Sequence, residues 1–443
     1  MYLKDQNISI IGAGLVGSLL SIYMSKIGAK TSVYERRGDI RNDINSSGRS
    51  INLSLSHRGM NALQEVGVKD DIMSIAMPMY KRIMHAVNGQ ITIQPYGQKD
   101  EAIFSVSRKE LNILLMNLAE KNNVEFNFQS QCNSVDFKNT ALKLSDKIIQ
   151  SDFVFSTDGA GSLVRKQMQK EGFTDSSENF IEFGYKELTI PPDLNGKHKI
   201  ENQSLHIWPR KSYMIIALPN LDGSFTCTLF FPLSGKNSFE SFTNKLDLMN
   251  FFNKYFNDLV DLIPDIPSQY YINPTSSLGI VKCYPWIKNN IVLLGDACHA
   301  TVPFYGQGMN SGFEDCFLLN NFIKTSKSIK DFKSMLPAFL QSRKNDTDAM
   351  QDLSMHNFVV MRDKTADNDF LIQKKIERMF SKKHPTRWLP LYSMVSFSNI
   401  PYSQALLIGK RQSKIMEHIM SQRNIENMSD SELENLILSM IDQ

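Results

Sequence analysis

The run Asn7-Ile8-Ser9-Ile10-Ile11-Gly12-Ala13-Gly14-Leu15-Val16-Gly17 limits the possible folds more than any other part of the chain. Its β-branched first half reads as a buried parallel strand. The Gly-x-Gly-x-x-Gly that follows opens a helix, because Leu19, Leu20 and Tyr23 continue at helical spacing. Thr31-Ser32-Val33-Tyr34 is a second strand, closed by Glu35. Gly12 permits the tight turn, Gly14 lets a pyrophosphate approach the backbone, and Gly17 lets the helix pack on the strand. The helix N-terminus offers unpaired N–H groups to that pyrophosphate, and Glu35 suits the ribose hydroxyls of an adenosine. The chain therefore starts as a βαβ dinucleotide-binding unit of Rossmann type, and the fold class is α/β. Arg36 and Arg37 read as a solvated basic pair.

Two later stretches have the same strand–Asp–helix build. Phe153-Val154-Phe155 leads to Thr157-Asp158-Gly159 and a helix with Val164 and Arg165. Ile291-Val292-Leu293-Leu294 leads to Gly295-Asp296, after which Gly306-Gln307-Gly308 opens a helix over residues 309–323. Glycines allow close backbone approach, and a helix start presents N–H groups to electron-rich atoms. Ser107-Arg108-Lys109-Glu110 is a capping box. Arg108 lies in that first turn, where a cation opposes the macrodipole, so its placement reads as reach toward a cofactor.

Elsewhere the texture differs. Strands over residues 184–190, 204–208, 213–218 and 225–231 have no helices between them, which points to an antiparallel sheet. Strands 81–85 and 91–96 flank Asn88-Gly89, a strong hairpin signal. The last part is helical, with expected helices over 329–343, 349–364, 368–379 and 403–421. In the final segment Leu433, Leu436, Ile437, Met440 and Ile441 share one face, with Ser429 or Asp430 as cap. Its acidic polar face favours packing on the protein over a membrane surface. The expected division is an FAD-type dinucleotide domain in three parts (1–70, 101–180 and 283–345), a substrate-domain hairpin (71–100), an antiparallel-sheet substrate domain (181–282) and a C-terminal helical region (346–443).

A formal charge of +3 over 443 residues, without a basic block, argues against a nucleic-acid partner. The five cysteines are scattered and lack metal-ligand spacing, which fits reduced thiols and no metal site. No leader and no bilayer-length apolar run is visible, so the expected location is cytoplasmic, without a membrane anchor.

The three devices in this order resemble the single-component FAD-dependent aromatic hydroxylases of the para-hydroxybenzoate hydroxylase class. Gly48-Arg49-Ser50-Ile51-Asn52-Leu53, Gln94-Pro95-Tyr96-Gly97, His206-Ile207-Trp208-Pro209, the 302–310 stretch and Tyr392-Ser393-Met394-Val395-Ser396-Phe397 narrow the resemblance to the kynurenine 3-monooxygenases. It covers roughly residues 8–402. It implies FAD as cofactor and NADPH as reductant, with O2 and L-kynurenine as co-substrates. The implied product is 3-hydroxy-L-kynurenine, formed through a flavin C4a-hydroperoxide. It implies no catalytic side chain, since the cofactor carries the chemistry and the aniline nitrogen already activates the ring.

Carried onto matching positions, the resemblance gives Arg82 and Tyr96 to the substrate carboxylate, with Asn357 and Tyr392 completing the amino-acid clamp. Phe304, Tyr305 and Phe230 border the ring. Gly12, Gly14, Leu15, Gly17, Glu35, Arg37, Arg108, Asp158, Asp296, Gly308, Met309 and Asn310 would serve the cofactor. Two departures stand out: Ser156-Thr157 replaces a small pair before Asp158-Gly159, and Tyr305 stands where His or Phe is familiar. The alternatives are an FAD hydroxylase of another aromatic acid and a non-hydroxylating FAD dehydrogenase. Monomer and homodimer both remain open.

Overall fold

The computed structural model describes residues 2–42, 52–97, 101–361, 368–422 and 425–442. The Gly48-Arg49-Ser50-Ile51 part of the resemblance lies outside them. Asn7–Ile11 is the centre of a six-stranded sheet, in the order Ile287–Lys288, Ile291–Leu293, Phe153–Ser156, Asn7–Ile11, Lys30–Tyr34, Glu125–Asn127. Every pairing is parallel except the one made by the Ile287–Lys288 edge. Ile8, Ile10, Val33, Val154, Phe155 and Val292 are all but fully buried, as expected for strands covered on both faces. Helix Leu15–Lys26 packs on this sheet and against helices Arg108–Lys121 and Gly308–Thr325.

The second large sheet has seven strands, in the order Ser276–Tyr284, Asp175–Ile190, Phe225–Pro232, Met214–Pro219, Ser204–Pro209, Lys81–His85, Ile91–Pro95. It is antiparallel except where Lys81–His85 joins Ser204–Pro209 in parallel. The Asn88-Gly89 hairpin thus extends this sheet, with Gly89 at φ +82° supplying the turn. One face buries Trp208, Ile215, Leu229 and Phe231 under the helix Lys245–Tyr255 and its neighbours. The opposite face carries Met84, Ile207, Met214 and Phe230 toward Phe304 and Phe358. Period-two alternation thus gives one sheet a structural side and a pocket side.

Three details differ from the sequence expectations. Residues 132–150 form a three-stranded meander not expected from their mixed polarity. Leu391–Ser396 is a separate short helix. The helices expected over 329–343 and 349–364 are one helix, Ile329–Val359, which runs through Pro337 and through Asn345-Asp346-Thr347. Polar residues at its middle look like a break in sequence, but Arg343 and Asp346 point into a buried ionic cluster described below. The last helix, Asp430–Ile441, is capped by Ser429, the first of the two candidates, through a capping box with Glu432, and buries Leu433 and Ile437. No helix among the described residues is long and apolar enough to cross a membrane.

Candidate functional site

Four adjacent parallel strands release their chain at one edge of the six-stranded sheet. Gly12–Gly17 follows the first, Glu35 the second, Asp158 the third and Gly295-Asp296 the fourth. This is where open α/β sheets bind ligands. Gly12 has φ +98°, and a Cβ there would meet the Thr157 carbonyl oxygen at 2.8 Å. A Cβ on Gly17 would stand 2.0 Å from the Gly12 carbonyl oxygen. On Gly14 it would meet nothing within 4 Å. The protein itself thus requires the outer two glycines, while Gly14 borders open space at the start of its helix.

The Glu35 carboxylate accepts from the Ala13 N–H at 3.0 Å and from the Arg37 N–H and Nε–H at 3.0 and 2.9 Å. Burial works against its charge, yet the Arg37 and Ala13 hydrogen bonds hold the carboxyl below the usual range. It is an ionised acceptor next to the glycine turn. Arg37 therefore braces Glu35 while most of its side chain remains in solvent, as expected of a solvated basic residue. Asp296 is half-buried at the first position of the Asp296–His299 turn and has no hydrogen-bond partner among the described residues. Arg108 is exposed at the start of its helix, without an ion pair among the described residues.

Other expected cofactor residues spend their side chains on the protein. Asp158 accepts from Ser156 Oγ at 2.5 Å and from the Leu163 N–H at 2.8 Å. Thr157 Oγ1 donates to the carbonyls of Ile11 and Gly12 at 2.9 and 3.1 Å. The Ser156-Thr157 departure therefore ties this turn to the glycine turn. Asn310 accepts from the Ser56 N–H at 2.9 Å and donates to Ser54 and Gly306 carbonyls at 2.8 and 2.7 Å, so Asn310 holds the loop, and only its backbone is left for a ligand. Leu15, Gly308 and Met309 lie at the two helix starts that border the cradle. An open glycine cradle, an ionised acid at the second strand and an unpartnered Asp at the fourth fit an FAD.

The pocket face of the seven-stranded sheet looks onto the loop Pro303–Gln307. Between them lies a pocket that all seven expected substrate residues line: Arg82, Tyr96, Phe230, Phe304, Tyr305, Asn357 and Tyr392. The Arg82 guanidinium carbon is 5.1 Å from the centre of the Tyr96 ring and 4.6 Å from that of Tyr392. Those rings stack on each other at 5.2 Å, and Tyr392 stacks on Tyr305 at 5.6 Å. Arg82 has no carboxylate partner among the described residues, and its Nε and the Tyr96 hydroxyl are buried without hydrogen-bond partners. Burial pushes the Tyr96, Tyr305 and Tyr392 hydroxyls up, so all three are neutral donors. Phe304 packs between Phe230 at 5.0 Å and Phe358 at 4.2 Å. Asn357 Nδ2 donates to the Phe304 carbonyl at 2.6 Å. One end of the pocket is thus cationic, and the other aromatic.

Behind the loop is a buried ionic cluster that sequence reasoning missed. His299 Nε2 lies 2.6 Å from Asp315 Oδ2, and Arg343 donates to Asp315 Oδ1 at 2.9 and 3.0 Å. Burial opposes the Asp315 charge, but His299 and Arg343 hold its carboxyl below the usual range. Arg58 pairs with Glu314 at 2.5 Å and lies 4.0 Å over the Tyr402 ring. The Tyr402 hydroxyl donates to Gln307 Oε1 at 2.9 Å. The available signal was Glu314-Asp315, two adjacent acids within an otherwise apolar helix face, which demand cations. His299 is a member of this cluster through its contact with Asp315.

The family described as FAD binding domain matches residues 5–326. A kynurenine 3-monooxygenase of Flavobacterium johnsoniae is 48% identical over 98% of this chain and 98% of its own length. The chain belongs to the kynurenine 3-monooxygenase family. Another kynurenine 3-monooxygenase, from Dictyostelium discoideum, is 39% identical over 100% of this chain and 98% of its own. Among solved structures, 2-methyl-3-hydroxypyridine-5-carboxylic acid oxygenase is 19% identical with a TM-score of 0.64, covering 82% of this chain and 94% of that one. A tetracycline destructase is 15% identical with a TM-score of 0.60, covering 82% and 91%. These last two share the fold that carries the kynurenine 3-monooxygenase pocket.

Proposed function

We infer that this chain is an NADPH-dependent FAD monooxygenase that converts L-kynurenine to 3-hydroxy-L-kynurenine. The observation that carries the reading in the molecule itself is Arg82, a cation with no carboxylate partner among the described residues, set against two stacked tyrosine rings at the end of an aromatic pocket that reaches the Pro303–Gln307 loop. The balanced reaction consumes L-kynurenine, O2, NADPH and a proton and yields the hydroxylated product, NADP+ and water. When bound, FAD supplies the two-electron transfer from NADPH and the activation of O2.

The chain's own residues bind, orient and keep water out. Arg82 and Tyr96 take the α-carboxylate, for which a guanidinium is suited because it is always charged and binds bidentately. The Phe304 carbonyl occupies Asn357 Nδ2, which leaves Oδ1 as an acceptor for the α-ammonium. Tyr392 closes over Arg82, and Phe230, Phe304 and Tyr305 hold the ring against the cofactor. Gly14, Leu15, Glu35, Asp296 and the backbone at Gly308, Met309 and Asn310 form the cofactor cradle, with Arg37 bracing Glu35 and Arg108 at its rim. Asp158, Gly12 and Gly17 shape its turns. The FAD domain is assembled from residues 1–70, 101–180 and 283–345, the substrate domain from 71–100 and 181–282, and the helical region 346–443 covers the pocket. Five free, buried cysteines suit a reducing cytoplasm.

The test is anaerobic stopped-flow reduction of the holoenzyme by NADPH. L-Kynurenine should accelerate FAD reduction; equal rates with and without it would remove the functional reading. Arg82→Met should weaken L-kynurenine binding by about 2 kcal/mol, roughly thirtyfold in Kd, with FAD retained.

A further inference from the structure

The pocket contains a third buried polar group without a partner. Ser396 is fully buried and lines the same pocket as Arg82, Tyr96 and Tyr392. Its hydroxyl makes no hydrogen bond among the described residues, like Arg82 Nε and the Tyr96 hydroxyl. A serine near a helix end ordinarily bonds back to the carbonyl four residues earlier. Ser398 does so, donating to the Met394 carbonyl at 2.6 Å. Ser396 does not. It ends the helix Leu391–Ser396, one turn beyond Tyr392. The ring of Tyr392 covers the Arg82 guanidinium at 4.6 Å. Burying a hydroxyl unpaired is costly, so a site that keeps two hydroxyls and the guanidinium Nε unpaired together is arranged for an anion that satisfies them.

We propose that Ser396 is a further substrate-binding residue, whose hydroxyl donates a hydrogen bond to the α-carboxylate held by Arg82. This rests on the reading of the pocket given above. It assigns the short helix Leu391–Ser396 two contacts to the amino-acid end: the Tyr392 ring over the cation and the Ser396 hydroxyl on its counter-ion.

A double-mutant cycle on the holoenzyme tests it, with the Kd of L-kynurenine read from the change in flavin absorbance under anaerobic conditions. Ser396→Ala should raise Kd about tenfold, with FAD content and melting temperature unchanged and Ser396→Thr restoring affinity. In the Arg82→Met background the same change should cost less than about twofold, because the carboxylate is no longer anchored there. An unchanged Kd in Ser396→Ala overturns the proposal, and so does a full, additive loss in both backgrounds. If Arg82→Met alone leaves L-kynurenine binding intact, the carboxylate reading itself fails, whatever Ser396 does.

Discussion

Gly14 and Gly17 lie three residues apart and answer to different neighbours. A methyl on Gly17 would collide with the Gly12 carbonyl at 2.0 Å and with Thr157 Oγ1 at 2.5 Å, whereas one on Gly14 meets open space. Gly17→Ala should therefore overpack the strand–helix contact by about 3 kcal/mol or more and yield little folded protein. Gly14→Ala should fold normally and bind FAD at least roughly tenfold more weakly, because its methyl would intrude where a pyrophosphate must approach. Circular dichroism of the apoprotein and FAD titration separate the two; equal FAD affinity in Gly14→Ala and wild type would count against the cradle. At this scale the sequence was most informative where backbone crowding decides the residue, as at Gly12 and Gly17. It was less so where side chains are shared: Asp158 and Asn310 read as ligand contacts but serve the turn and the loop. Ser396 gave no signal, because a lone serine in a helix carries no spacing.

The elements around the pocket were legible one by one, but their contacts were not. The strand at Ile291–Leu293 and the helix at Gly308–Thr325 follow from a β-branched run and a glycine-opened helical pattern. What ties their loop to the C-terminal helices is a set of long-range pairs: Tyr402 to Gln307, and Arg58 to Glu314 and to the carbonyls of Val395 and Ile400. No local rule links positions so far apart. The single helix Ile329–Val359 has the same origin, since Arg343 and Asp346 satisfy partners on other elements. Tyr402→Phe keeps the ring under Arg58 and removes only the donor to Gln307. It should cost about 1 kcal/mol in stability and raise the hydrogen peroxide released per NADPH consumed, with FAD retained. Unchanged coupling, measured by peroxide yield against 3-hydroxykynurenine, would mean that the helix end does not position the loop.

The whole molecule is built around a sheet with two unlike faces, and the face away from the pocket carries its own titrating group. His206 is buried there, with the Glu201 carbonyl at 2.7 Å from Nε2 and His85 Nε2 at 2.9 Å from Nδ1. A carbonyl only accepts, so His206 holds its proton on Nε2 and receives the His85 N–H at Nδ1. Burial pushes the His206 imidazole down to about 4, with His85 and Lys81 adding to the effect and the Glu201 carbonyl opposing it. Asp258 stands beyond His85 at 3.5 Å. The unfolded chain takes up this proton near pH 6.5 and the folded chain does not, so stability is complete above about pH 6.5 and declines as pH falls toward 4. Between pH 7 and 5 the loss from His206 should be about 2 kcal/mol. Urea unfolding at both values should show it, and His206→Gln should flatten that part of the dependence; an equal slope in the variant would assign the loss to other groups.

The four strands that surround the cofactor cradle end at Ile11, Tyr34, Ser156 and Leu293. A nascent chain therefore lacks a complete cradle until the segment through Asn310 has left the ribosome. Capture of flavin at this cradle would then be a late event in biosynthesis.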